Sequence, residues 1–149
     1  MAVNEIKILI FSLNGENYAT DIMEVERILG YEVPTALPEV PFFMDGVINY
    51  EESILPVINL AKKFSFPESK ITNESKIVVV KESGDKLGIV VENVYEVRDV
   101  NKDDVEKPKA IEANISSRYI KGLIRLEGKI IILLDLAKLL NDEERAKIF

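Results

Sequence analysis

Met44-Asp45-Gly46-Val47-Ile48-Asn49-Tyr50-Glu51 returns later in the chain as Ile120-Lys121-Gly122-Leu123-Ile124-Arg125-Leu126-Glu127. Gly, Ile and Glu coincide at a constant shift of 76 residues. The match continues with Ile54 over Ile130, then Leu60-Ala61-Lys62 over Leu136-Ala137-Lys138. Apolar alternation alone aligns any two β-rich segments, but it does not set Gly on Gly and Glu on Glu. Upstream the shift is 69: Ile8-Leu9-Ile10-Phe11 lies over Ile77-Val78-Val79-Val80, and Gly15 over Gly84. Ile22, Val25 and Ile28 lie over Val91, Val94 and Val97 at the same shift. The change of shift assigns a longer loop to the second copy, within residues 99–118. An internal duplication of this size implies two similar units of about five short strands each. Such units close best as small barrels, because closure removes exposed strand edges. Each core would be marginal alone, so the two should pack on each other across an apolar seam.

The elements inside each copy follow from local signals. Ile6–Leu13 is β-branched and aromatic and reads as a strand, and Asn14-Gly15 is a hairpin turn returning into Tyr18–Thr20. Ile22, Val25, Ile28 and Leu29 fall at helical spacing, with Asp21 as N-cap and Gly30 as stop, and predict a helix of about two turns. Pro34, Pro38 and Pro41 make residues 31–45 an extended loop. Gly46–Tyr50 and Ile54–Asn59 read as strands joined at Glu51-Glu52-Ser53, with one helical turn at Leu60–Phe64. Ser65–Ser75 is a polar linker. Lys76–Lys81 and Leu87–Glu92 are strands around Gly84-Asp85, and residues 99–118, with Pro108, are charged and irregular. Tyr119–Leu126 and Lys129–Leu134 form a hairpin around Glu127-Gly128. A C-terminal helix is expected from near Asp135, with Leu136, Leu139 and Leu140 on one face.

Composition excludes much chemistry. The chain of 149 residues has no Cys and no His. That removes thiolate nucleophiles, Ser-His-Asp triads, disulfides and nearly every zinc site. No Asp-x-Asp-x-Asp-Gly loop offers a Ca²⁺ site, so neither metal nor cofactor is expected. The net charge of -7, with Lys and Arg scattered among acids, argues against nucleic acid and anionic membrane surfaces. Met1–Glu5 lacks a basic n-region and Lys7 interrupts the first apolar run, so no signal peptide is expected. Apolar runs such as Ile130–Leu134 fall far short of the roughly 20 residues that span a bilayer, so no membrane insertion is expected. A cytoplasmic protein is the expected result.

The ordered motifs resemble the CheW family, which includes the regulatory domain of the CheA kinase. The family opening stands as Tyr18-Ala19-Thr20-Asp21-Ile22-Met23-Glu24-Val25-Glu26-Arg27-Ile28. Its Pro-x-x-x-x-Gly stretch stands as Pro41 to Asn49, followed by Ile54 to Leu60. Gly88 to Val94, Tyr119 to Gly122 and Ile131 to Leu140 complete the series, so the resemblance covers about residues 6–140. It implies a mainly β fold of two pseudo-symmetric, interlocking five-stranded SH3-like barrels, with short helices including a C-terminal one. The whole chain is then one CheW-like domain. Its subdomains run over about 14–75 and 76–140, with room for exchange of the N-terminal strand. The resemblance also implies a stand-alone, non-catalytic adaptor at receptor arrays on the inner face of the membrane. Its partners would be the regulatory domain of a CheA-like histidine kinase and the cytoplasmic tips of chemoreceptors.

Site residues come from the same resemblance. It implies kinase contacts at Glu24, Val25, Arg27, Ile28 and Gly46, and receptor contacts at Ile48, Asn49, Glu51, Gly88, Val94 and Val97. Plain structure competes at most of these. Val25, Ile28 and Val97 read first as core by their spacing and Gly46 first as a position needing glycine geometry, while Asn49 reads equally as a satisfied structural amide. Phe42-Phe43 in a proline-rich loop either caps a core or meets a partner. One departure stands out: the family's usual Asn-Leu-Arg-Gly is Asn49-Tyr50-Glu51-Glu52 here. An acid in place of an arginine reverses the charge at a position expected to meet a receptor. The acidic pairs Glu51-Glu52, Asp103-Asp104 and Glu143-Glu144 read as solvated charges rather than acid/base machinery. The competing functions are a CheW-like module of a non-motility pathway, a small-molecule-binding barrel with a deep polar pocket, and a carboxylate hydrolase.

Overall fold

In the computed structural model, residues 4–67, 70–82, 84–107 and 118–149 are described. Strand β1 (Glu5–Leu13) turns into β2 (Glu16–Asp21), then β3 (Val25–Gly30). A proline-rich strap leads to β4 (Met44–Tyr50), β5 (Ser53–Asn59) and the single turn α1 (Leu60–Lys63). The second half runs β6 (Lys76–Glu82), β7 (Asp85–Val91), β8 (Asn93–Asn101), β9 (Val105–Glu106), β10 (Ile120–Leu126) and β11 (Lys129–Leu134). A C-terminal helix, α2 (Asp142–Ile148), follows. The fold is mainly β, as expected, and is built from two sheets.

The sheets interlock. One has the order β8-β1-β2-β11-β10-β9, and the other β3-β6-β7-β5-β4. We call them the first and second barrels. The opening hairpin of each sequence copy completes the sheet formed by the rest of the other copy. The shifts of 69 and 76 residues found in the sequence hold in the register. Leu9 pairs with Val97 as Val78 pairs with Ile28. Ala19 pairs with Leu133 as Gly88 pairs with Val57. Even the bulges coincide, at Ile10/Phe11 with Val25/Arg27 and at Met44/Gly46 with Ile120/Gly122.

Exchange explains the continuous apolar runs. In β1, Ile8 and Ile10 point into the first barrel, while Leu9, Phe11 and Leu13 point into a core shared by both. In β6, Ile77 and Val79 fill the second barrel, while Val78 and Val80 join the shared core. Both faces of these strands are buried, so alternation disappears from their sequence. Each such buried aliphatic side chain contributes about 1.5–3 kcal/mol, and the shared seam makes neither barrel separable from the other.

Two expected helices are corrected. Residues 21–30 do not form a two-turn helix. Asp21 does cap, accepting from the Met23 N–H at 3.0 Å, but only the 3-10 turn Ile22–Glu24 follows before β3 begins. Val25 and Ile28 are β-branched, and pairing with β6 supplies the backbone partners that a short helix would lack at its ends. The C-terminal helix starts at Asp142, not near Asp135. Asp135 caps one 3-10 turn, Leu136–Lys138, and Leu136, Leu139 and Leu140 are buried in the shared core. Asn141 and Glu144 form a capping box that starts α2. The stretch expected to be irregular from residue 99 holds the end of β8 and the short β9. Pro108 and the rest of it to residue 117 lie outside the described residues. The two phenylalanines divide: Phe43 is buried and Phe42 is 72% exposed.

Candidate protein-docking surface

Strand β3 is an edge strand, hydrogen-bonded among the described residues to β6 alone. It exposes Arg27 and Ile28 and turns Val25 towards the shared core. Glu24, in the preceding turn, is half-buried and accepts a 2.8 Å hydrogen bond from the Thr20 hydroxyl. Burial pushes its carboxyl up, against the Thr20 hydrogen bond and the Lys121 charge. Glu24 is thus a seam residue between the barrels. Val94 and Val97 occupy the equivalent places on β8, an edge strand of the first barrel. Val94 packs half-buried against the shared core, and Val97 is 49% exposed.

Gly46, Ile48 and Gly88 are buried. Gly46 has φ +141°, and a Cβ there would overlap the Thr35 carbonyl. Thr35 exchanges two backbone hydrogen bonds with Val47, at 2.8 and 2.9 Å, and so holds the proline-rich strap on β4. The glycine is required by that approach. Gly88 sits under Ile77 and Leu55, where a Cβ would be crowded. These three residues reach a partner only through the shape of their strands. Asn49 is exposed on β4, and Glu51 begins the β4–β5 turn.

A charged cluster joins β3, β4 and β7 at the mouth of the second barrel. The Tyr50 hydroxyl donates to Glu26 at 2.6 Å, although β4 and β3 are opposite edges of the sheet. Lys86 reaches Glu26 at 3.1 Å and Glu51 at 3.6 Å, and Arg27 reaches Glu51 at 3.3 Å. Arg27 and Lys86 lie 5.7 and 5.6 Å from the Tyr50 ring centre. The hydrogen bond from Tyr50, then Lys86, hold the Glu26 carboxyl below its ordinary value. Burial first, and Glu26 second, push the Tyr50 hydroxyl up to about 12. The acid at position 51 is therefore answered by two bases of the same chain. Sequence reasoning missed Glu26, Tyr50 and Lys86. Glu26 lies between the predicted contacts Val25 and Arg27, but nothing local links it to a tyrosine 24 residues away.

A groove of about 510 Å³ adjoins this cluster, lined by Leu37, Val40, Tyr50, Ile54, Lys86 and the end of α2. Ile54 is 71% exposed. Among the described residues, no group of three or more Asp or Glu side chains is placed to hold a metal ion. Among them too, no helix is long and apolar enough to cross a membrane.

Interlocked barrels with exposed edge strands and a charged mouth have the form of a protein-docking scaffold. The CheW-like domain family matches residues 7–144, and the chain belongs to it. It is 30% identical to chemotaxis protein CheW of Treponema pallidum, covering 99% of this chain and 91% of that protein. It is 33% identical to the Klebsiella aerogenes chemotaxis protein CheW, covering 94% and 84%. The solved scaffolding protein TtCheW from Thermoanaerobacter tengcongensis superposes with a TM-score of 0.85 at 32% identity, covering 93% of this chain and 94% of that one. The chain is a chemotaxis scaffold of this family.

Proposed function

We propose that the chain couples chemoreceptors to a CheA-like histidine kinase on the cytoplasmic side of the membrane and performs no reaction of its own. The kinase regulatory domain meets the β3 side, through Arg27 and Ile28, with Glu24, Val25 and Gly46 shaping that surface. The receptor tip meets Asn49, Glu51 and Val97, with Ile48, Gly88 and Val94 shaping the strands behind them. The observation that carries this reading is the pair of equivalent edge strands, β3 and β8, on two barrels of a CheW-like chain. Each offers an exposed aliphatic residue, Ile28 or Val97, beside charged side chains. The barrel interiors are packed with aliphatic side chains rather than open to a small molecule.

Titration against a kinase regulatory domain and against a receptor tip fragment tests the reading. Both are expected to bind, with contacts of roughly 800 Å² per partner or less. Ile28→Asp is expected to weaken the kinase contact by at least about tenfold with the circular dichroism unchanged, because Ile28 is not core. Val25→Asp is expected to weaken it too, and loss of the fold in that variant would make Val25 a core residue only. Binding to neither partner at roughly 50 μM would sink the proposal.

A further inference from the structure

The last helix differs from the rest of the molecule in how it is held. The chain is anchored through Leu139 and Leu140, which are buried in the shared core. At Asn141 burial stops, and α2 contains no buried residue. Its apolar attachment is Ile148, half-buried against the shared core, while Phe149 is 45% exposed. Its other attachments are ionic. Glu144 pairs with Lys63 of α1 at 2.7 Å. Arg145 pairs with Glu82 at the end of β6, and with Asp85 at the start of β7 at 3.1 Å.

The pair with Glu82 sets the register. Glu82 is 1% exposed, and its Oε2 has no hydrogen-bond partner among the described residues. A buried carboxylate of this kind is compensated by its counterion or not at all. Burial pushes the Glu82 carboxyl up, and Arg145 opposes that push. Desolvating both partners offsets most of their attraction, so the pair orients α2 without holding it firmly. A seven-residue helix also has little stability of its own once it leaves the surface.

Docked, α2 places Lys147, Ile148 and Phe149 along one wall of the groove that contains Val40 and Met44. We infer that α2 is a latch, hinged at Asn141, that opens and closes over this groove while both barrels stay folded. Opening removes one wall and uncovers Val40 and Met44; closing, guided by Arg145, restores the groove. The groove borders Tyr50 and Lys86, so the latch changes the surface beside the charged cluster. The inference does not depend on which partner occupies that surface.

Native-state hydrogen exchange on the whole chain, over a series of low urea concentrations, tests it. Amides of Arg145 to Ile148 are expected to exchange at least about 100-fold faster than those of Val79 and Ile89, with a urea dependence far weaker than theirs. The paired variant Arg145→Ala with Glu82→Gln, which leaves no buried charge unpaired, is expected to speed them a further tenfold or so, to shift the Met44 methyl resonance, and to leave the strand amides unchanged. A single urea dependence shared by α2 and the strands would overturn the latch. So would a paired variant that leaves α2 unaffected, or one that exposes the strands together with the helix.

Discussion

In the second barrel Tyr50 and Glu26 meet across the gap between β4 and β3, whereas in the first barrel the equivalent positions hold Leu126 and Tyr95. Lys86 and Arg27 correspond likewise to Asn17 and Glu96. The backbone plan is shared down to the bulges, yet the closures differ in kind. The second barrel uses a buried tyrosine and a carboxylate, flanked by two cations. The first uses Arg98, bonded to Glu96 at 3.0 Å and to Glu127 at 3.1 Å at the surface. Its mouth keeps a cavity of about 300 Å³ beside Asn17, Tyr95 and Leu126. Register survives duplication because a one-residue slip would turn every core side chain outward. Mouth residues are free of that constraint and have acquired different partners.

The largest contrast is expected at the paired glycines. Gly46→Ala should destabilise the protein by about 3 kcal/mol in urea unfolding, because backbone blocks the added carbon and φ is positive. Gly122→Ala should cost less, since its φ is not positive and the backbone it meets, the Glu106 carbonyl at 2.8 Å, stands farther off than the Thr35 carbonyl does from Gly46; equal losses would erase the distinction. Next, Tyr50→Phe should cost about 1–1.5 kcal/mol, while Tyr95→Phe, at a residue 56% exposed, should be near neutral. The same variant changes the pH response. Glu26 is depressed in the fold, so its contribution is present above the ordinary value of 4.5 and is lost as pH falls through the lower folded value. Tyr50 is raised, so its contribution is present below 10.0 and is lost as pH climbs towards about 12. In Tyr50→Phe the part of the alkaline loss that belongs to Tyr50 should vanish, and NMR titration should find the Glu26 carboxyl nearer 4.5. The smallest effect concerns the turns. Glu51 and Glu52 both have positive φ, at 47° and 64°, where the other copy has Glu127 and Gly128. Glu52→Gly should add about 0.5–1 kcal/mol to thermal stability by relieving left-handed strain, and Gly128→Glu should remove a similar amount.

Much of this was legible in the residues. Paired Gly and Glu positions announced the duplication, and the two shifts carried the strand register. Asn14-Gly15 and Glu127-Gly128 marked their hairpins through Asn14, Gly15 and Gly128, which accept positive φ. The helix expected over residues 21–30 failed because Val25, Ile28 and Leu29 satisfy both a helical and a strand pattern. Pairing with Val80, Val78 and Ile77 decided between them. Asn141-Asp142-Glu143-Glu144 did carry a helix-start signal, but the leucines before it drew the boundary too early. At the candidate site, Arg27, Ile28 and Glu51 were named from their motifs, while Tyr50 and Lys86 carried no local signal.

The order of strands, their turns and the twofold plan are written along the chain, because each depends on neighbours a few residues apart or on a pattern repeated at fixed distance. Which hairpin completes which sheet was settled only in three dimensions, and so were the meeting of Tyr50 with Glu26 and the seating of Arg145 on Glu82. Those contacts join residues far apart in sequence, and only closure of the barrels and burial between them bring such groups within reach.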